Sequence, residues 1–258
     1  MILKGKTAVI TGGGRGIGAS VAKLLSEEGA GVVVSARSKD EIERVASELG
    51  GSSNRVWAIA CDVTQPDQVQ ALYQEAVDRL GQVDILVNNA GIADSAPLKS
   101  ITLESWNRIL AVNATGTFLC TQRFVPAMIE RGWGRVVNVA SIAGKIGGKY
   151  MAAYVASKHA ALGFTRAVAA EVAATGVTVN AVCPGFVNTP MTDESVARIV
   201  EKTGAEAGRA RETLERMSPQ NRLMEPEEVA FQVLSLCDPR ARGVNGQAVV
   251  LDGGAVQS

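Results

Sequence analysis

Thr7-Ala8-Val9-Ile10-Thr11-Gly12-Gly13-Gly14-Arg15-Gly16-Ile17-Gly18 opens the chain and decides how the remainder is read. Its first part, Thr7–Ile10, is apolar and β-branched, as a strand covered on both faces should be. Glycines then take over, and Gly18–Glu28 reads as a helix ending at Gly29. A strand, a tight glycine turn and a helix bring bare backbone and free N–H groups against a pyrophosphate. Two registers fit. Gly14-x-Gly16-x-x-Ala19 matches the general dinucleotide fingerprint, whereas Gly12-x-x-x-Gly16-x-Gly18 starts nearer the strand end and is preferred. Gly12, Gly14, Arg15, Gly16, Ile17 and Gly18 are thus candidate cofactor-binding residues. A glycine-rich turn alone could be structural, so the neighbouring segments matter.

Outward from this turn the same alternation repeats. Apolar runs occur at Val32–Val34, Val56–Ala60, Val83–Val87, Arg135–Ala140, Val177–Val182 and Ala248–Leu251. They are near-continuous rather than alternating, which marks strands buried on both faces. Helical stretches lie between them: Lys39–Leu49 ends at Gly50-Gly51, and Pro66–Leu80 ends at Gly81, glycine being the usual residue past a last turn. Thr64 and Asp67 are N-cap signals for the latter helix. The expectation is an α/β fold: one doubly wound Rossmann domain over residues 1–258, with a seven-stranded parallel sheet and helices on both faces. Asn188–Ser218 breaks the pattern, being charged and long with no strand, and reads as a helical lid over a substrate.

Composition removes several classes of function. Lys+Arg and Asp+Glu balance at 26 each, which leaves no net field for nucleic acid or an anionic membrane. Cys61, Cys120, Cys183 and Cys237 lack metal-ligand spacing and His159 is the one histidine, so no metal site is expected. The cysteines read as small apolar fillers in a reducing compartment. The N-terminus has no signal-peptide shape and no apolar run spans a membrane, so a cytoplasmic location is expected.

Tyr154-Val155-Ala156-Ser157-Lys158 carries the chemistry. Four residues make about one helical turn and place Tyr154 and Lys158 on one face. A lysine charge beside a phenol stabilises the phenolate and would draw its pKa down from about 10, making the tyrosine an acid or base near working pH. Ser141 ends an apolar strand, where its hydroxyl can enter the crevice at the sheet's carboxyl edge. Tyr150 is a rival for Tyr154 but has no lysine four residues on. The cofactor type is read from the second strand, which ends Val34-Ser35-Ala36-Arg37 without the acid that often grips a ribose 2′-hydroxyl. Arg37 and Arg15 can instead reach a 2′-phosphate, favouring NADP(H) over NAD(H); two solvated surface arginines are the alternative.

In order along the chain stand Thr11–Gly18, Cys61-Asp62-Val63, Asn88-Asn89-Ala90-Gly91, Asn113, Ser141, Tyr154…Lys158 and Pro184-Gly185…Thr189. From Lys6 to about Gly254 the chain resembles the short-chain dehydrogenase/reductase family in its compact form. The resemblance implies that Tyr154 gives its proton to a carbonyl oxygen and that Ser141 hydrogen-bonds the same oxygen. Lys158 would hold the nicotinamide ribose, and Asn113, in a helix Leu103–Val125, would position a water relaying protons to Lys158. It also implies that Asp62 accepts the adenine amino proton beside Val63, that Asn89 and Ala90 line the ribose side, and that Val187 and Thr189 hold the nicotinamide carboxamide.

The substrate is less legible. Ile92, Ile142, Ile146, Met151, Phe186 and Met191 with nearby glycines suggest an open, apolar pocket. Asn180–Met191 is similar to polyketide ketoreductases and 3-oxoacyl thioester reductases, and the lid length to 3-hydroxybutyrate dehydrogenases. Residues 191–217 hold five basic and six acidic residues, and Ala174-Thr175-Gly176 has no basic residue, so no carrier-protein docking surface stands out. The reading is NADPH-dependent reduction of a β-keto group, preferably on an acyl thioester. Alternatives are an NAD(P)-dependent dehydrogenase of a free secondary alcohol or hydroxy acid, and a non-catalytic NADP-binding sensor. The resemblance further implies a homotetramer, a small-molecule or thioester partner, and neither nucleic acid nor membrane.

Overall fold

The computed structural model describes residues 1–50 and 55–256. Its strands are β1 (Thr7–Thr11), β2 (Gly31–Ala36), β3 (Val56–Ala60), β4 (Ile85–Asn88), β5 (Gly134–Val139), β6 (Val177–Pro184) and β7 (Ala248–Leu251). They form one seven-stranded sheet in the order β3-β2-β1-β4-β5-β6-β7, every pairing parallel. The helices are α1 (Gly16–Glu27), α2 (Lys39–Leu49), α3 (Pro66–Leu80), α4 (Leu103–Leu110), α5 (Gly116–Glu130), α6 (Ala152–Glu171), α7 (Pro190–Thr203), α8 (Ala207–Glu215) and α9 (Pro226–Cys237).

The unbroken apolar runs follow from a core on each face of the sheet. Along β1, Ala8 and Ile10 join one cluster and Val9 the other; in β4, Ile85 and Val87 face one way and Leu86 the opposite way. The first cluster is completed by Val21, Leu25, Ile42 and Val233, the second by Leu72, Phe124 and Met128. Each such side chain is fully or almost fully buried, worth about 1.5–3 kcal/mol relative to exposure.

Several local expectations shift. α1 begins at Gly16 rather than Gly18, with Arg15 as its N-cap residue. Gln65, not Thr64 or Asp67, occupies the N-cap of α3, because Thr64 is turned back to bond Asp62 Oδ1 from both its backbone N–H (3.0 Å) and its hydroxyl (2.8 Å). Gly29 and Gly81 do take the positive φ of a helix stop, at 91° and 82°. Gly50 has φ −81°, and Gly51 lies outside the described residues. The expected helix Leu103–Val125 is two helices joined by a π-helical turn, Ala111–Thr115. The segment read as a lid contains α7 and α8, joined through Gly204 in the left-handed conformation at φ 69°. Among the described residues no helix is long and apolar enough to cross a membrane.

Connections from β1 run to β2 on one side while β4 pairs on the other, so the chain reverses direction across the sheet beside β1. Such a reversal leaves a crevice at the carboxyl ends of the strands. Thr11, Asn88 and Pro184, the last residues of their strands, all end at that edge.

Candidate active site

The glycine loop is shaped by close approaches. A Cβ on Gly18 would lie 2.2 Å from the Gly12 carbonyl oxygen and 2.5 Å from Asn89 Nδ2, and Gly12 has φ 64° with Ala90 Cα 2.9 Å from where its Cβ would be. These are the positions that the register Gly12…Gly16…Gly18 requires to be glycine. Asn89 holds the loop from below, its Nδ2 donating to Thr11 O (3.0 Å) and Gly12 O (2.9 Å). Thr11 Oγ1 in turn accepts from the N–H groups of Asn89 and Ala90, both at 3.1 Å. α1 starts without a side-chain cap and without an acid in its first turn, so its leading N–H groups face the cleft.

The sheet beneath is polar. Asn88 Nδ2 donates to Asn138 Oδ1 (2.8 Å) and Thr121 Oγ1 (3.0 Å), and Asn138 Nδ2 donates to Thr165 Oγ1 (2.8 Å). This buried chain ties β4 and β5 to α6, the helix that carries Tyr154 and Lys158. The π-helical turn places Asn113 in the interior. Its Oδ1 accepts from Ile92 N (2.9 Å), while Nδ2 donates to Ile92 O (2.9 Å) and Ser157 Oγ (3.0 Å). Both amide hydrogens are therefore engaged, and only a lone pair on Oδ1 remains for a water.

Ser141 follows β5 and caps a short 3-10 turn: its Oγ accepts from Ala143 N at 3.1 Å. The same hydroxyl donates to Pro184 O at 3.4 Å and lies close enough to the Tyr154 phenol to favour its ionised form. Lys158 lies beneath, its Nζ 5.7 Å from the centre of the Tyr154 ring and donating to Val139 O at 2.9 Å. Burial raises the Tyr154 pKa, an effect that the Ser141 hydroxyl only partly offsets. Burial also pushes Lys158 down, to about 8. Against the expected depression of the tyrosine by the lysine, burial is the largest influence on the phenol, and the ammonium is bonded to a strand carbonyl. Tyr150 is 63% exposed and adopts φ 66°, away from this cluster. His159 is exposed and its Nδ1 contacts the Val155 carbonyl oxygen (3.0 Å), a bond within its own helix.

Two cavities meet here. One, of about 580 Å³, contains Gly12, Gly14, Arg15, Gly16, Arg37, Asp62, Val63 and Ala90 in its wall. The other, of about 200 Å³, reaches Ser141, Tyr154, Lys158, Phe186 and Val187. Ile17, Asn89, Gly91, Ile92, Thr189 and Met191 line both. Every candidate residue except Asn113 and Gly18 borders one cavity or both; Gly18 stands behind the loop, where a Cβ would meet the Gly12 backbone. Thr189 is positioned at the N-cap of α7 but does not cap it; its Oγ1 donates to Val187 O at 3.3 Å.

Residues 6–199 match the family model described as short chain dehydrogenase. The chain belongs to the short-chain dehydrogenase family. It is an oxidoreductase acting on a CH–OH group. It is 38% identical over 252 residues to a D-beta-hydroxybutyrate dehydrogenase of Rhizobium meliloti, covering 96% of this chain and 98% of that one. Over 256 residues it is also 38% identical to a 3-oxoacyl-acyl-carrier-protein reductase of Thermotoga maritima, covering 99% and 100%. A solved structure of an actinorhodin polyketide ketoreductase variant with NADPH superposes with TM-score 0.94 at 38% identity, 97% of each chain being covered.

A nicotinamide dinucleotide is the cofactor expected of a short-chain dehydrogenase, and the larger cavity fits one. It has a glycine floor that a Cβ would fill, an uncapped helix N-terminus for the pyrophosphate, and Asp62 in its wall. Sequence reading missed three charged groups there. Glu41 of α2 lines the cavity beside Gly14. Arg44 Nη2 donates to Gly14 O at 3.1 Å, and Arg15 is bonded to Glu194 of α7 at 3.1 Å. The helical spacing that puts Glu41 and Arg44 one turn apart was available, but nothing in it says that α2 packs against the loop.

Proposed function

We propose that this short-chain dehydrogenase reduces a β-keto carbonyl carried on an acyl thioester, with NADPH as the hydride source. The observation that carries the substrate class is the wall of the smaller cavity. Among its described lining residues Lys158 is the one charged side chain, and it is held behind Tyr154 by Val139. A free carboxylate buried there would lose hydration with no cation to receive it, at a cost of several kcal/mol. A neutral acyl chain meets Ile92, Ile142, Met151, Phe186 and Met191 instead. The similarity to the Thermotoga maritima reductase and to the ketoreductase supports the same reading.

When bound, the nicotinamide supplies the hydride that the carbonyl carbon accepts. Tyr154 donates its phenolic proton to the carbonyl oxygen, and the raised pKa keeps that proton in place until the oxygen becomes basic. Ser141 donates a hydrogen bond to the same oxygen and stabilises its developing charge. Lys158 binds the ribose hydroxyls and stabilises the phenolate left behind. Asn113 fixes the Gly91–Ile92 backbone beside Lys158, and its remaining lone pair can seat the water through which the proton is replaced. Asp62, Val63, Asn89, Ala90, Val187 and Thr189 hold the dinucleotide along the cleft.

The preference for NADPH is supported by Arg15 and Arg37 in the cavity wall and by the absence of an acid at the tip of β2. NADPH would be favoured by roughly tenfold or more, from a charged hydrogen bond of about 1.5–3 kcal/mol. The second reading, an NAD-dependent dehydrogenase of a hydroxy acid, is favoured by Glu41 beside Gly14 and by the D-beta-hydroxybutyrate dehydrogenase relative. Exposed Phe118 on α5 and Phe231 on α9 support assembly as a homotetramer, which light scattering measures.

The test is oxidation of NADPH, then NADH, in the presence of acetoacetyl-CoA and of free acetoacetate. Turnover with the thioester at least tenfold above the free acid, and with NADPH above NADH, is the expected result. Preference for acetoacetate with NADH overturns the proposal in favour of the second reading. Tight NADPH binding without turnover on either substrate would support the sensor.

A further inference from the structure

The Arg15 guanidinium is already engaged. Its Nη2 donates to Glu194 Oε1 at 3.1 Å, across 179 residues of sequence and the mouth of the cofactor cleft. Both side chains are about half exposed, at 50% and 49%. Glu194 belongs to the first turns of α7, and the far end of that helix is held as well: Lys202 Nζ donates to Ser95 O at 2.5 Å. α7 is thus tied once to the loop at the cofactor cleft and once to the segment following Gly91–Ala93 of the substrate cavity. The neighbouring Asp193 is bonded to Arg211 at 3.2 Å, and Arg211 also donates to Asn188 Oδ1 at 2.7 Å. Those bonds hold the start of α7 to α8 independently of Glu194.

We propose that Glu194 is a selectivity-setting residue acting through Arg15: a 2′-phosphate must take the guanidinium from it, and in doing so unlatches the start of α7. A nucleotide lacking that phosphate leaves the latch closed. The inference rests on the assignment of Arg15 to the 2′-phosphate made above. The exchange is favourable because an exposed single carboxylate holds arginine weakly, whereas a phosphate brings up to two charges and three acceptor oxygens to the same fork. Arg37, in the wall of the same cleft, adds a second cation for the phosphate but none for Glu194. The carboxylate therefore subtracts from affinity for the phosphorylated cofactor alone, and occupancy of the cleft is communicated to the helix beside the substrate.

The experiment is calorimetric titration of the wild type, Glu194→Gln, Arg15→Ala and the double variant with 2′,5′-ADP and with 5′-AMP, together with hydrogen exchange over residues 190–203. Glu194→Gln is expected to tighten 2′,5′-ADP by about two- to fivefold and leave 5′-AMP unchanged. That gain should vanish in the Arg15→Ala background. In the wild type, 2′,5′-ADP should speed exchange at the start of α7 and 5′-AMP should not. Unchanged or weaker 2′,5′-ADP binding in Glu194→Gln overturns the latch, as does a gain that persists without Arg15, which would mark a simple field effect. If the wild type prefers 2′,5′-ADP but Glu194→Gln has no effect, the cofactor assignment stands and the latch alone falls. If the wild type binds both nucleotides equally, both fall.

Discussion

Lys158 Nζ donates to the Val139 carbonyl oxygen at 2.9 Å, so the buried ammonium of α6 is anchored to the end of β5. This bond fixes the lysine below the Tyr154 ring without consuming the phenol. It also means the charge is kept in a desolvated place, which is why its pKa falls to about 8.

That depression predicts a pH signature in stability. The folded-state value of about 8 lies below the ordinary 10.5. Between the two, the unfolded chain binds more protons, so stability rises with pH. Below about 8 both states carry the charge and the cost of burying it is fully present. Tyr154 contributes in the opposite sense only above its ordinary value of 10.0, where the unfolded phenol ionises first. From about pH 8 to 10 the Tm of the wild type should therefore rise relative to Lys158→Met. Parallel curves in differential scanning calorimetry would remove the assignment.

Tyr154→Phe retains the ring but loses the proton donor. A positioned general acid contributes about 10²–10⁴ in rate, and kcat should fall by that factor. Nucleotide affinity, followed by fluorescence, should change little. Near-normal turnover would place the acid elsewhere.

Gly18→Ala forces a Cβ to within 2.2 Å of a backbone oxygen. Backbone cannot rotate aside as a side chain can, so the loop must shift. Overpacking of this kind costs about 1–3 kcal/mol, and the moved loop should also bind dinucleotide at least tenfold more weakly. Denaturant unfolding with a nucleotide titration reads both; a variant normal in each would show that the loop yields easily.

Thr11→Val removes the acceptor shared by the Asn89 and Ala90 N–H groups. Leaving buried donors unsatisfied costs about 1–3 kcal/mol each. Thr11→Ser should restore most of that loss. Equal stability of the valine and serine variants would mean the two N–H groups find other partners.

The sheet was legible because its chemistry is repetitive. Alternate residues of β1 and β4 feed opposite cores, so each strand announces itself as an unbroken apolar run between glycine stops. The family resemblance, carried by ordered motifs, also supplied the residues that border the two cavities. What escaped was set by tertiary neighbours. Glu41 and Glu194 read as ordinary surface acids until α2 and α7 are packed against the glycine loop. The π-helical turn at Ala111–Thr115 was invisible because its stretch has unexceptional helical spacing; the Ile92 backbone, bonded by Asn113, is what the widened turn serves. The i,i+4 spacing of Tyr154 and Lys158 was legible, but spacing says nothing of how dry the site is, and burial acts on both groups.

Six residues, among them Ile92, Thr189 and Met191, belong to the walls of both cavities. A nucleotide settling into the larger one therefore finishes the surface that the second ligand will touch. The kinetic expectation from this shared wall is a compulsory order, nucleotide before the second substrate, with the reverse order for departure. Evolutionarily it makes drift in the choice of ketone expensive: a substitution at Met191 that reshapes one chamber is felt in the other, so new substrates are more cheaply reached through Ile142, Met151 or Phe186, which border the smaller chamber alone.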